Sequence, residues 1–338
     1  MIRVAALTSY STAPLDVKIH ELVKRGITVI DLYCFCPQDL PVICEQTKTE
    51  PWPDVLLDVL EPSKAAEKLS QIVRKVGKSL SRQEIDICGF ASFLPDISLP
   101  DKFSAIEKRR QVTVKVVVRL LEFLAEMRKR GFSCQTFELV GGHTIISADH
   151  ASKSENPKLR YVNPKDCFEA LEASLKDIVT ASNKIFTASG SGSKAAPPFL
   201  AIELEPGVSK LLNSEKAINK LASVVKRFPN VGLNLDIGHM QIIGINPERF
   251  FRSRLVSRIV HVHISDNANS HFADLCVTSY HGSEIFSQWL DALRSHISQD
   301  RGMFQGYVSI EMEACGSADE VLRAFRITKK LLRGKSTR

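Results

Sequence analysis

The segments Val231–Gly238 (VGLNLDIG) and Ile259–Asp266 (IVHVHISD) decide how the chain is expected to fold. Each is an apolar run of strand length, and the residues between them are enough for a helix. Nearly continuous hydrophobicity is typical of parallel strands that are buried on both faces. The two segments therefore predict a strand–helix–strand unit with its two strands in one sheet.

Six further apolar runs, rich in β-branched residues, bring the number of predicted strands to eight. The segments between them have helical periodicity, as in residues 15–25, where an apolar stripe ends before Gly26. The six runs are Val4–Ser9, Ile27–Cys34, Ile85–Phe93, Cys134–Gly141, Phe199–Glu205 and Tyr307–Glu313. The predicted helices are 15–25, 63–80, 104–130, 164–185, 214–228, 284–297 and 318–332, with a shorter one near 247–255, and Asn213, Ser283 and Ser317 are expected N-caps.

This alternation predicts a single-domain (β/α)₈ TIM barrel with long strand-to-helix loops. A doubly wound sheet would normally have a glycine-rich loop after its first strand, and here that loop reads SYSTAPLD. We expect the domain to span 1–333, with loop or insert regions at 35–62 and 142–198, and a basic tail at 334–338. Long loops of this fold gather at the C-terminal ends of the strands, so we expect an active site there.

Composition restricts the class of protein. The 338 residues are 44% hydrophobic and 25% charged, as in a globular protein with a sizeable core. No apolar run reaches membrane-spanning length, so no membrane association is expected. Eight scattered cysteines without a CxxC pair favour reduced thiols and a cytoplasmic location. The net charge of +7 fits either phosphate binding or dispersed surface lysine and arginine.

Carboxylates and histidines recur where the last four predicted strands end. A carboxylate in an apolar strand is costly unless it is paired or bound to a cation, and several at one barrel mouth would repel one another. A divalent cation would remove the conflict, and imidazole is a common ligand beside carboxylate. The sequence thus predicts a metal site, with His261 as a core or second-layer histidine. The strand-end residues are Glu203, Glu205, Asp236, His239, His263, Asp266, Glu311 and Glu313.

Five motifs resemble those of the xylose isomerase-like TIM barrels, and within them most closely the sugar phosphate isomerase/epimerase group. The motifs are AIELEPG (201–207), LNLDIGHM (233–240), HVHISD (261–266), HGSEIF (281–286) and GYVSIEME (306–313). The resemblance is specific over residues 199–332 and architectural over the first half.

The resemblance implies a single-metal site formed by Glu203, Asp236, His263 and Glu311. It also implies a substrate contact by His239, with Asp266 and His271 as further substrate-binding candidates. Three choices stay open at this point: Glu205 in place of Glu203, Glu313 in place of Glu311, and His281 in place of His271.

The implied function is a metal-dependent isomerase or epimerase, EC class 5, in carbohydrate metabolism. It would act on a sugar, a sugar phosphate or a related hydroxy-ketone. Glu203 and Glu311 would remove and return a proton, and the metal would stabilise the enediolate. One histidine with three carboxylates favours Mn²⁺ or Mg²⁺, with Co²⁺ and Zn²⁺ also open.

Three other functions compete with this one. A dehydratase of the same superfamily would use the same metal set. The positive charge suits a metal-dependent abasic-site DNA endonuclease, but the ends of the second and third strands lack the histidines of that class, and a phosphate-contacting basic stripe is not apparent. A non-catalytic barrel would bind a sugar-like ligand. We therefore expect a small carbohydrate-like partner in preference to nucleic acid, and leave a homo-oligomer open.

Overall fold

The computed structural model contains a closed barrel of eight parallel strands, which confirms the predicted (β/α)₈ fold. It describes residues 2–33, 39, 42, 55–81, 84–101, 109–147, 159–188, 196–207, 209–253, 255–266, 284–299, 302–312 and 317–333. The strands are β1 Arg3–Leu7, β2 Val29–Tyr33, β3 Asp86–Ala91, β4 Thr136–Val140, β5 Ile145–Ser147, β6 Leu159–Tyr161, β7 Phe199–Glu203, β8 Val231–Asp236, β9 Ile259–Ile264 and β10 Tyr307–Ile310.

Strand order around the barrel follows the chain, and β10 closes it against β1. The last four barrel strands, β7, β8, β9 and β10, are therefore direct neighbours, and their C-terminal ends form one continuous arc. The remaining two strands, β5 and β6, form a separate antiparallel hairpin.

Helices pack around this barrel, most of them at the positions that periodicity predicts and with ends shifted by a few residues. Two short helices, Val55–Val59 and Ile237–Ile243, are not among those predicted. Those described are Leu15–Lys24, Val55–Val59, Pro62–Ser79, Arg109–Lys129, Pro164–Ala188, Glu215–Val225, Ile237–Ile243, Pro247–Phe251, Glu284–Gln299 and Ala318–Leu332. Within the described segments, no helix is both long and apolar enough to cross a membrane.

Helix capping corrects one prediction and confirms another. Asn213 is not the N-cap of helix Glu215–Val225, because the side chain of Ser214 accepts the hydrogen bond from the Ala217 amide. Ser317 caps the last helix as predicted, accepting from the Asp319 amide. The prediction for Ser283 lies outside the described residues.

The sixth barrel strand is two residues shorter than predicted. The apolar run continues to Gly238, but β8 ends at Asp236 and helix Ile237–Ile243 starts at once. The Asp236 side chain causes this ending, because its Oδ1 accepts the backbone N–H of His239 at 2.6 Å. A side chain that caps a helix favours the turn over further extended backbone.

Two predicted loop regions contain regular structure. The β5–β6 hairpin lies in the region 142–198, and helix Val55–Val59 lies in the region 35–62. Most of the 35–62 region and the basic tail lie outside the described residues. The domain limits and insert regions stay a prediction.

The core has two parts. The main apolar cluster packs the outer faces of the strands against the helices. A small separate cluster of Ala5, Cys88 and Tyr307, with Val29 against it, comes from the adjacent strands β1, β2, β3 and β10 and fills one level of the barrel interior. Much of the remaining interior is lined by polar and ionisable side chains, and these define the site.

Candidate metal centre

Four ionisable side chains converge at the C-terminal ends of the last four barrel strands. Glu203 ends β7, Asp236 ends β8, His263 lies near the end of β9, and Glu311 directly follows β10. One ligand atom from each lies within 4.8 Å of the others. Their exposed fractions are 5%, 0%, 0% and 7%, so water can compensate their charges only weakly.

The imidazole of His263 occupies the middle of this group. Its Nδ1 lies 2.7 Å from Oε2 of Glu311 and 3.6 Å from Oε1 of Glu203. Three carboxylates and one imidazole nitrogen within so small a buried volume form a donor set suited to a divalent cation. The residues present therefore fit the metal that the sequence predicts.

The predicted substrate residue His239 lies beside the four-residue cluster. Its Nδ1 is 3.7 Å from Oε1 of Glu203, 3.8 Å from Oδ1 of Asp236 and 3.2 Å from the carbonyl oxygen of Leu204. Its side chain is 12% exposed, more than the His263 and Asp236 side chains. His239 is thus positioned where a bound molecule could reach it.

Of the two further substrate-binding candidates, Asp266 lies within the described residues and His271 does not. Asp266 follows β9 and is buried, with 5% of its surface exposed. His271, His281 and Glu313 lie outside the described residues, so the choice between the two loop histidines stays open. Glu311 lies in the cluster, and the choice between it and Glu313 also stays open.

Glu205 has different surroundings from Glu203, although only one residue separates them. Oε1 of Glu205 accepts a hydrogen bond from Nζ of Lys210 at 2.6 Å, and that ammonium group lies 4.8 Å from the centre of the Phe93 ring. Burial, with repulsion from Glu203, raises the pKa of Glu205 to about 7. Glu203, and not Glu205, belongs to the converging group.

A second group of buried polar side chains lies against His263, and sequence reasoning missed its two acids. Glu138 of β4 has its Oε2 3.0 Å from Nε2 of His263. The same Oε2 accepts a hydrogen bond from Nδ2 of Asn234 at 2.6 Å. Asp31 of β2 lies farther along the interior, with its Oδ2 3.8 Å from Nε2 of His263.

Asp31 of β2 has two partners on the last two barrel strands, His261 of β9 and Ser309 of β10. Its Oδ2 lies 2.7 Å from Nε2 of His261 and accepts the Ser309 hydroxyl at 2.6 Å. His261 is therefore a buried histidine that contacts Asp31 and is not one of the four converging residues, in agreement with the role predicted for it. Asp31, His261 and His263 also offer ligand atoms within 4.8 Å of one another, but the contact between Asp31 and His261 already occupies Oδ2 of the first and Nε2 of the second.

Burial and mutual contact shift the pKa values in this layer. Burial raises the pKa of Glu138 well above its ordinary value. Burial opposes a charge on His263, yet the nearby Glu138 and Glu311 raise the pKa of its imidazole well above the usual range. Burial would also raise the pKa of Asp31, but contacts with His261 and His263 hold it below the ordinary value. The charge of each group thus depends on its neighbours in this layer.

A sequence signal for the missed acids exists. VIDLY (29–33) and TFELV (136–140) each place a single carboxylate in the middle of an apolar strand. The argument applied to Glu203, that such a carboxylate needs a partner, applies equally to Asp31 and Glu138. Each is the only ionisable carboxylate of its segment, without the second carboxylate that accompanies Glu203 and Glu311 or the histidine that accompanies Asp236.

Gly89 of β3 makes room for this layer. A Cβ atom at this position would overlap Oγ1 of Thr136 and would come within 2.7 Å of Oδ1 of Asp31. Only glycine leaves that space for the aspartate side chain.

Taken together, the closed parallel barrel and the carboxylate–histidine cluster at its C-terminal end define a (β/α)₈ barrel protein with a candidate metal centre. The family model described as xylose isomerase-like TIM barrel matches residues 51–331. The chain belongs to this family, which confirms the resemblance seen in its motifs.

Solved structures share the fold over nearly the whole chain at low sequence identity. A D-tagatose 3-epimerase-like protein is 18% identical, with a TM-score of 0.62 over 98% of this chain and 97% of that one. D-psicose 3-epimerase, crystallised with D-fructose, is 15% identical, with a TM-score of 0.61 over 99% and 100%. The IolI protein with a bound zinc atom is 14% identical, with a TM-score of 0.60 over 100% of both chains. No curated protein sequence gives a significant match.

Proposed function

We propose that the protein is a divalent-metal-dependent isomerase or epimerase of a sugar, sugar phosphate or related hydroxy-ketone. The observation that carries this proposal is the convergence of Glu203, Asp236, His263 and Glu311 at one end of the barrel. The structurally similar proteins named as D-psicose 3-epimerase and D-tagatose 3-epimerase-like support a carbohydrate substrate.

The four converging side chains would hold one divalent cation. When bound, the cation would supply Lewis-acid polarisation of the substrate's carbonyl group. The zinc atom named in the IolI structure supports a divalent metal in this fold. Among metals, Mn²⁺ or Mg²⁺ is our first proposal, because three of the four donors are carboxylates.

Glu203 and Glu311 are proposed as the two proton-transfer groups. They come from β7 and β10, with β8 and β9 between them, so they approach the centre of the arc from its two sides. One glutamate would take the proton next to the substrate carbonyl, and the other would return a proton to the neighbouring carbon or to the opposite face. His239, the more exposed neighbour, would orient a substrate hydroxyl group.

The test is proton exchange from D₂O into a panel of ketoses and aldoses, measured by mass spectrometry after loading with Mn²⁺ or Mg²⁺. We expect the unmodified protein to incorporate deuterium next to the carbonyl of at least one sugar. Glu203→Gln and Glu311→Gln should each lower the exchange rate by about 10²- to 10⁴-fold, the range of a general acid or base. Metal binding should also weaken in both variants.

Ser214→Ala provides a matched control, since Ser214 caps helix Glu215–Val225 and is not one of the four converging residues. It should exchange deuterium at the rate of the unmodified protein. Normal exchange in both glutamine variants would contradict the proton-transfer assignment. Analysis of the product separates isomerisation from loss of water, which would indicate the dehydratase reaction instead.

A further inference from the structure

The contact between Glu138 and His263 lies on the side of the imidazole ring that faces away from Glu311. Nδ1 of His263 is 2.7 Å from Glu311, whereas Nε2 is 3.0 Å from Oε2 of Glu138. The two ring nitrogens thus have separate partners, one toward the candidate metal ligands and one toward the barrel interior. A ring with a fixed partner on one nitrogen presents the other nitrogen in a fixed direction and tautomer.

Asn234 holds the glutamate in this position. Its Nδ2 donates to the same oxygen, Oε2, that contacts His263. Glu138 is 6% exposed and Asn234 is 0% exposed, so neither side chain can exchange this contact for bulk water. The three side chains come from β4, β8 and β9, and the closed sheet therefore fixes their spacing.

We propose that Glu138 is a positioning residue for the metal site, acting through His263. Its Oε2 lies 3.0 Å from Nε2 and would accept the Nε2–H once a metal occupies Nδ1, which would keep Nδ1 aimed at the space shared with Glu203 and Glu311. Asn234 donates a hydrogen bond to Oε2 of Glu138 and so holds in place the oxygen that contacts the ring. The inference rests on the proposed function only in that it requires the four-residue cluster to bind a divalent metal.

An alternative role for Glu138 is simple charge compensation, in which its negative charge favours a nearby cation regardless of the ring. Glutamine distinguishes the two roles, because it keeps an acceptor oxygen in the same place and removes the charge. Since one oxygen takes both the Asn234 and the His263 contacts, a single amide oxygen can preserve both. Leucine at this position removes the acceptor and the charge while keeping a similar volume.

The test measures metal affinity and ligand geometry in the metal-free protein titrated with Co²⁺ and Mn²⁺. Competition with a chromophoric chelator gives the affinity, and the visible absorption bands of the Co²⁺-loaded protein report its ligands. The variants are Glu138→Gln, Glu138→Leu and Asn234→Ala. Glu205→Gln serves as a charge control, because Glu205 is also buried near the cluster but pairs with Lys210.

We expect Glu138→Leu to lower Co²⁺ and Mn²⁺ affinity by about 10- to 100-fold and to alter the cobalt bands. Glu138→Gln should keep most of the affinity and the unmodified spectrum. Asn234→Ala should lower the affinity without any change of charge, and Glu205→Gln should leave the cobalt spectrum unchanged.

Equal losses in the glutamine and leucine variants would overturn the positioning role in favour of charge. Unmodified affinity in Glu138→Leu would overturn it outright. If that variant does not fold, unmodified affinity in Asn234→Ala has the same effect. Absence of metal binding in the unmodified protein would contradict the proposed function as well, whereas metal binding without sugar exchange would contradict only the proposed reaction.

Discussion

At the scale of single residues, the role of each buried carboxylate depends on its nearest partner. Glu203 shares a small volume with His263 and Glu311, while Glu205 is hydrogen bonded to Lys210. Asp31 accepts from Ser309 and pairs with His261, deep in the barrel. The same residue type therefore serves as a candidate ligand, an ion-pair partner or an interior hydrogen-bond acceptor.

Replacing Gly89 should destabilise the protein through this interior layer. The new Cβ in Gly89→Ala would overlap Oγ1 of Thr136 and crowd Oδ1 of Asp31. We expect a loss of about 1–3 kcal/mol in the free energy of unfolding, the usual cost of inserting a methyl group into a packed interior. Urea unfolding followed by circular dichroism measures it.

Removing one of the crowded atoms provides the control. The double variant Gly89→Ala, Thr136→Ala should lose less stability than the sum of the two single variants, because removal of Oγ1 leaves space for the new methyl group. Purely additive effects, or a Gly89→Ala protein as stable as the unmodified one, would show that the interior accommodates the methyl group without strain.

At the scale of elements, one residue at the junction between β8 and the following helix both caps the helix and belongs to the candidate metal site. Asp236 ends the strand, caps helix Ile237–Ile243 through Oδ1 and contributes to the ligand cluster. Ser265 donates a further hydrogen bond to Oδ1 at 3.4 Å. Because the cap occupies Oδ1, the other oxygen, Oδ2, is the one we expect to face a metal.

Two substitutions at Asp236 separate its structural and chemical contributions. Asn is about as good an N-cap as Asp, whereas Ala removes the cap at a cost of about 1 kcal/mol. In the metal-free protein, Asp236→Asn should therefore be more stable than Asp236→Ala by about that amount. Both variants should bind Mn²⁺ more weakly than the unmodified protein, as measured by calorimetry.

Ser214, which caps helix Glu215–Val225, again supplies the comparison. Ser214→Ala should lose about 1 kcal/mol of stability, like any lost N-cap, while its Mn²⁺ affinity stays unchanged. Equal stability of the two Asp236 variants would mean that the cap contributes nothing at this junction. Undiminished metal affinity in both would remove Asp236 from the ligand set.

At the scale of the whole molecule, closure of the barrel creates a concentration of buried negative charge. Glu203, Asp236 and Glu311 are each at least nine-tenths buried and belong to one arc of strand ends. Such a group is costly in the metal-free protein, because burial and mutual repulsion both oppose ionisation. A bound cation would lower the free energy of burying these carboxylates, and it would link residues from four neighbouring strands.

Divalent metal should therefore raise the thermal unfolding temperature of the protein, and a chelator should reverse the effect. At a free metal concentration 100 times the dissociation constant, the stabilisation should be about 2.7 kcal/mol. Scanning calorimetry with Mn²⁺, Mg²⁺, Co²⁺ and Zn²⁺ measures it and ranks the metals. The double variant Glu203→Gln, Glu311→Gln should show a much smaller shift, and an equal shift there would place the binding elsewhere.

The sequence by itself determined the fold class and the strand ends at which four of the converging residues lie. Eight apolar runs alternating with helical segments suffice for the barrel, because hydrophobic periodicity is a local property of the chain. Glu203, Asp236, His263 and Glu311 lie at strand ends whose meeting follows from that fold. Two smaller predictions from local sequence were wrong. The strand predicted to reach Gly238 ends at Asp236, which caps the next helix, and Ser214 caps its helix in place of Asn213.

Only the tertiary structure decided which side chains partner across the barrel. Asp31 and His261 are 230 positions apart, and Glu138 and Asn234 are 96 apart, yet each pair is hydrogen bonded. No local pattern encodes these contacts, because they depend on strand register, on closure of β10 against β1, and on the space left by Gly89. Hydrophobic periodicity specifies which elements form, whereas partner choice among buried charges requires the three-dimensional packing of those elements.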